Sequence, residues 1–151
     1  MSLEPRGVAE RLALALDAED DQAVAALLDP DCVYEINERI IEGRDGIVGS
    51  YADNARWARG AFDGLVFESA VHAVDGTTVT IAFVDVLRHA GREHRHECRQ
   101  SFVVGAHGLV VRIVHSDVPG QPEALARFMQ DHGIDRPRPG HEQTRFDEGT
   151  A

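Results

Sequence analysis

Between residues 65 and 118 apolar and polar side chains alternate with a period of two, and only Asp75-Gly76, Ala90-Gly91 and Ala106-His107-Gly108 interrupt the pattern. That period puts successive side chains on opposite faces of a strand. Turns this short join antiparallel neighbours, since a parallel connection needs a crossover of about a dozen residues or more. Strands at 65–74, 77–89, 93–104 and 109–118 therefore form an antiparallel meander, which Pro119-Gly120 ends. A chain committed to such a meander must cover one of its faces.

The cover is helical. Val8, Leu12, Ala15 and Leu16 form one stripe of a helix at 8–17, a second helix at 21–28 stops at Asp29-Pro30, and a third at 45–60 carries Ile47, Val48, Tyr51, Ala55 and Ala58 on one face, with Trp57 near its end. Between them 32–36 reads as a strand and Arg39–Glu42 as its short continuation. Pro122 opens a last helix to about residue 132, with Gly133 as its C-cap. The reading is one domain over 1–134, followed by a loose tail at 135–151.

Charge removes several function classes. Fifteen basic residues stand against 26 acidic ones, a net charge of −11, and the chain contains no Lys. Nucleic acid and anionic membrane are excluded as expected partners, because both need the opposite excess. Schiff-base chemistry and a P-loop lysine are excluded with the missing amine. No apolar run approaches a membrane span or a leader, and Cys32 and Cys98 lie outside any metal or redox spacing, so reduced thiols in a cytoplasm are expected. The richness in Arg, Ala, Val and Asp fits a GC-rich bacterial genome.

Register assigns the faces. A two-residue loop at Ala90-Gly91 sets Asp85 opposite His96 and Phe83 opposite Cys98; a turn centred on Ala106-His107 sets His96 opposite Asp117 and Cys98 opposite His115. The inner face then carries the rows Val79, Phe102, Val111; Ile81, Gln100, Ile113; Phe83, Cys98, His115; and Asp85, His96, Asp117. Apolar rows give way to a histidine between two acids at the open end of the sheet. Neighbouring carboxylates favour the imidazolium, and such a set moves protons near neutral pH. The same pattern fits a structural ion-pair network. The outer face, with Thr80, Val84, Val86, Arg95, Glu97, Arg99, Ser101, Arg112, Val114 and Ser116, reads as a subunit interface with charged edges or as an exposed face with scattered valines.

Two other constellations compete. His94-x-His96 with His115 offers three nitrogens for zinc, but Arg92 and Arg95 bracket the segment, and no metal is assigned. Cys98 beside His115 has the types of an activated thiol, against the reading of a small buried core residue.

The segments Leu28-Asp29-Pro30-Asp31-Cys32-Val33-Tyr34, Glu42-Gly43-Arg44-Asp45-Gly46-Ile47 and His107-Gly108-Leu109-Val110, the last followed by Arg112-Ile113-Val114, resemble the nuclear transport factor 2-like superfamily in texture and order over residues 8–118. The resemblance implies an α+β cone: a curved antiparallel sheet wrapped around three N-terminal helices, with a C-terminal helix, a mostly apolar cavity, and assembly as a homodimer. That superfamily holds ketosteroid isomerases, SnoaL-like polyketide cyclases, scytalone dehydratase, limonene epoxide hydrolase and non-catalytic binding proteins, so fold alone selects no activity.

Carried over residue by residue, the isomerase pattern departs here. Ile36 stands where its general base belongs, the first helices hold no aromatic residue, and Gln100 stands where its oxyanion-hole acid belongs. The epoxide hydrolase relay of Asp, Arg and Asp resembles Asp85, His96 and Asp117 only with His for Arg. The expectation is therefore a SnoaL-like cavity protein for a small hydrophobic, carbonyl-bearing molecule. A cofactor-free isomerase, cyclase or dehydratase step would use His96 as proton carrier, with Asp85 and Asp117 tuning it. Tyr34, Gln100, His115, Cys98, Tyr51 and Trp57 would surround the substrate. The alternative is a binding or assembly module with the same cluster as a satisfied polar network.

Overall fold

The computed structural model describes residues 4–135, so nearly all of the tail read at 135–151 lies outside the described residues. The elements run α1 (Pro5–Asp17), α2 (Asp21–Leu27), β1 (Leu28–Ile36), β2 (Arg39–Glu42), α3 (Arg44–Ala61), β3 (Gly64–Asp75), β4 (Thr78–His89), β5 (Arg92–Val104), β6 (Val110–Asp117) and α4 (Gln121–Asp131). Local chemistry explains the boundaries. Pro5 supplies the preset φ of a first helical turn, and Asp20 caps α2 by accepting the Ala23 amide at 3.1 Å. The passage out of α2 is extended from Leu28, four residues earlier than the 32–36 reading, because Pro30 bars a helix without barring a strand edge.

One six-stranded sheet has the order β2-β1-β6-β5-β4-β3. The meander β3 to β6 is antiparallel throughout; β1 joins β6 in parallel, with Tyr34 beside Ile113 and Ile36 beside His115. The β4–β5 ladder has the register read from Ala90-Gly91, including Asp85 opposite His96 and Phe83 opposite Cys98.

The β5–β6 ladder differs from the reading by two residues, and two local features account for it. Gly108 adopts φ +76° and donates its amide to the Gly105 carbonyl at 3.0 Å, while the Gly105 amide reaches the Leu109 carbonyl at 2.8 Å, so the loop holds three residues rather than two. One strand turn later Val104 pairs with Val110 but Val103 pairs with Arg112, leaving Val111 as a bulge, 36% exposed. Each feature inserts one residue. Two slips of one restore the face, as the period of two requires, but move every β6 residue along by one row. Asp117 therefore faces Cys98 rather than His96, His115 faces Gln100 rather than Cys98, and Ile113 rather than Val111 faces Phe102.

Two apolar clusters fill the interior. The larger joins Val8, Leu12, Ile47, Tyr34, Phe83, Phe102 and Ile113 between helices and sheet. The smaller joins Ala58, Phe62 and Leu87 to Leu125, Phe128 and Met129 of α4. That helix lies across the end of the sheet, held also by the Glu97 amide, which donates to Gln121 Oε1 at 2.9 Å. The row of Asp85 and His96 falls between the clusters, and α4 closes what the sequence reading took for an open end.

Candidate functional site

Four inner rows carry the polar groups. Asp85 is 0% exposed and His96 1%, directly opposite each other on β4 and β5, a separation of about 5 Å between Cβ atoms for such pairs. Two rows away Gln100 is completely buried and forms a hub. Its Nε2 donates to the Tyr34 hydroxyl at 2.9 Å and lies 3.4 Å from His115 Nδ1, while its Oε1 accepts from the Tyr51 hydroxyl at 2.6 Å. His115 Nε2 in turn meets Asp117 Oδ1 at 2.9 Å. Tyr34 and Tyr51 stack with ring centroids 5.4 Å apart, which fixes both hydroxyls on Gln100.

The Asp117 carboxylate accepts from His115 Nε2. Gln100 presents its amino group to Tyr34 and His115 and its carbonyl to Tyr51, which makes Tyr51 the donor.

A cavity of about 310 Å³ lies beyond Tyr51, between the α1–α2 corner, α3 and β3. Leu16, Val24 and Phe67 supply apolar wall, Tyr51 and Asn54 supply polar wall, and Glu19 and Arg59 stand at the mouth. Arg59 donates to both carboxylate oxygens of Glu19, from Nε at 2.9 and 2.8 Å and also from its terminal nitrogen. That hydrogen bonding, above all, raises the guanidinium above its ordinary pKa. Arg56 pairs with Asp53 at 2.9 Å. Phe67, a wall of the cavity, is also the β3 neighbour directly opposite Asp85.

Of the residues singled out from the sequence, Tyr51 lines this cavity, with Gln100, Tyr34, His115 and Asp117 linked behind it. Asp85 and His96 are one strand from its wall. Cys98 is buried between the Gln100 and His96 rows with Asp117 across from it, so the pairing with His115 weighed for a reactive thiol is replaced. The other thiol, Cys32, is pushed up to about 12 by burial and then by the charge of Asp29; neither cysteine forms a disulfide. Trp57 lies elsewhere, edge-on to Phe62 at 5.9 Å, on an open groove with His89 and His132. The three histidines weighed as zinc ligands are drawn apart: His115 faces Gln100, six residues along β5 from His94, or about 20 Å.

His94 instead stacks on Phe128 of α4 with centroids 5.1 Å apart. Burial first, and then the charge of Arg127, hold its pKa below the ordinary 6.5. A lowered imidazole pKa means that the unfolded chain takes up the proton more readily, so the contribution of neutral His94 is full above pH 6.5 and fades as pH falls through that value toward the folded one. Urea unfolding at pH 7.5 and 5.5 is expected to show less loss on acidification for His94→Gln than for the native chain.

Asn54 and Phe67 were missed in the sequence. Asn54 carried a signal: it occupies the face of α3 set by Ile47, Tyr51 and Ala58, where a polar side chain has no packing reason to be, and it is 3% exposed. Phe67 carries no such signal, since the period of two marks it only as a strand residue.

Residues 9–113 match the SnoaL-like domain family, and the chain belongs to that family. Among solved structures, TerC co-crystallised with polyporic acid is similar at a TM-score of 0.63 with 10% identity, covering 83% of this chain and 98% of that one. An epoxide hydrolase of the limonene epoxide hydrolase-like type from Mycobacterium tuberculosis gives 0.56 and 22%, covering 80% and 87%. A Pseudomonas putida KT2440 protein provisionally described as a polyketide cyclase gives 0.54 and 15%, covering 80% and 96%. At these identities the likeness is one of fold, the nuclear transport factor 2-like cone. No curated protein sequence matches with significance. No helix among the described residues is long and apolar enough to cross a membrane.

Proposed function

We propose that this SnoaL-like domain binds a small, mostly apolar molecule in the cavity between the α1–α2 corner, α3 and β3. The observation that carries the reading is the wall itself: a hollow of about 310 Å³ with apolar Leu16, Val24 and Phe67 facing the polar atoms of Tyr51 and Asn54. Its volume is at the lower end of the roughly 300–1,000 Å³ usual for small-molecule sites, and a few fixed polar groups in an apolar wall are their usual composition. Ala55 also lines the hollow, on an α3 face open to it. Ala55→Phe is expected to fill the cavity and abolish binding of aromatic fragments, followed by calorimetry, with the far-ultraviolet circular dichroism unchanged. Undiminished binding to that variant contradicts the assignment.

A second reading rests on a different observation, the buried Asp85 and His96 one strand behind Phe67. In it, the domain is a cofactor-free isomerase, cyclase or dehydratase for a small carbonyl compound; His96 carries the proton, Asp85 orients it, and Asp117 acts through His115. His96→Asn then removes turnover while ligand affinity is kept, whereas a binding module shows no turnover to lose. The outer sheet face, where Thr80 and Ser101 hydroxyls meet at 2.9 Å and Val66 is exposed, is assigned to a second copy of the chain. The mass in solution tests that assembly: a monomer at all concentrations rejects it.

A further inference from the structure

We infer that the Glu19–Arg59 ion pair is a gate: it joins the α1–α2 corner to α3 across the mouth of the cavity and parts before a ligand enters or leaves. The inference rests on the binding reading above and adds the control of access to the same site.

The backbone of Glu19 is the first sign. Its amide donates to the Leu16 carbonyl at 3.1 Å and the Asp20 amide donates to the Ala15 carbonyl at 3.0 Å, the pair of bonds that closes a helix in a Schellman motif. Glu19 therefore sits just past the end of α1, with φ +55°, where a β-carbon is disfavoured and glycine or asparagine is the usual residue. A glutamate held in that conformation points to a task for its side chain. The task is visible in the contacts: both carboxylate oxygens engage Arg59 of α3, 40 residues further along the chain. Position completes the case. Both residues line the cavity and stay partly open to solvent, 28% for the Glu19 side chain and 49% for that of Arg59. The guanidinium also lies 5.9 Å from the ring centroid of Phe67, so it covers part of the apolar wall. Arg56 pairs with Asp53 inside α3 and bridges no gap. An ion pair this exposed is weak and screened by salt, so it opens readily, as packed apolar wall does not.

A neutral probe, 4-propylphenol, tests this, because its encounter with the protein gains nothing from charge steering. Its association and dissociation rates are read from nuclear magnetic resonance line shapes of the full chain in about 0.02 and 0.5 M sodium chloride. In the native chain both rates are expected to rise together by about threefold at the higher salt, as the ion pair is screened. Glu19→Gln and Glu19→Gly are expected to exchange the probe at the faster rates in both salts. Any effect of salt on the probe itself is shared by the variants, so the difference between native and variant is the reading. Glycine suits the left-handed position, so the second variant keeps the test open if the first fails to fold. Association as fast in the native chain as in the variants at low salt overturns the gate and leaves the binding reading standing. A faster dissociation alone does the same, since it marks Glu19 as a wall contact. No binding of the probe by the native chain at either salt overturns both.

Discussion

Replacing His96 by Leu is expected to destabilise the fold by about 3–5 kcal/mol, and replacing Asp85 by Leu by a similar amount, whereas the double replacement loses less than either single one. The reason is position. Both residues are fully enclosed between the Phe83 row of the larger apolar cluster and Leu87 of the smaller one. An acid left there without the imidazole, or an imidazole without the acid, keeps its desolvation cost and loses its neighbour. Two leucines of comparable volume remove the cost altogether. Urea unfolding of the four species closes the cycle. Additive losses, with the double variant least stable of all, contradict the coupling of Asp85 and His96 across the ladder.

The other large effect is expected at the hub. Gln100→Leu removes the hydrogen bonds to the Tyr34 and Tyr51 hydroxyls and the contact with Nδ1 of His115 in one step, three buried groups that meet on a single amide. At about 1 kcal/mol or more for each, a loss of roughly 3 kcal/mol is expected in the same unfolding measurement. Gln100→Glu still accepts from both tyrosine hydroxyls and is expected to lose less when its carboxyl is protonated, so its deficit shrinks on moving from pH 8 to pH 5. A Leu variant as stable as the native chain contradicts the network. Both experiments address the polar rows, and neither requires a ligand.

Faces were legible in the sequence where rows were not. Alternation with a period of two survives any pair of one-residue insertions, which is why Ile81, Phe83, Asp85, His96, Cys98, Gln100 and His115 point inward as read. The rows depend on counting through a loop, and the left-handed Gly108 and the bulge at Val111 each add one residue to the count. Gly105 ties the two together: a Cβ there would meet Val111 Cγ1 at 2.8 Å, so the bulge lies against a residue without a side chain. A histidine flanked by two acids in one row therefore became an acid–histidine pair beside a separate relay from Asp117 to Tyr51. The meander itself, its turns and the helices that cover it were legible because each has a short-range signature, as at Asp75-Gly76, Pro122 and Gly133.

Burial of the Asp85 row was not legible, because it depends on where α4 docks. The sequence shows an amphipathic helix with Leu125, Phe128 and Met129 on one side, but nothing local says that this side lies on Leu87 and Phe62. The place of the cavity was not legible for the same reason: with α4 closing one end, a hollow is left at the α1–α2 corner, where Tyr51 alone of the expected substrate neighbours lines it, beside Leu16, Val24 and Asn54.

On the proposed function this corner, and no other hollow among the described residues, receives the ligand. Titration of uniformly labelled protein with 4-propylphenol, followed by amide and side-chain nuclear magnetic resonance shifts, tests it directly. Perturbations are expected to concentrate on Leu16, Val24, Tyr51, Asn54 and Phe67, with the Asn54 side-chain amide among the largest. Perturbations centred instead on Trp57, His89 and Gly133, the groove beside α4, would contradict it.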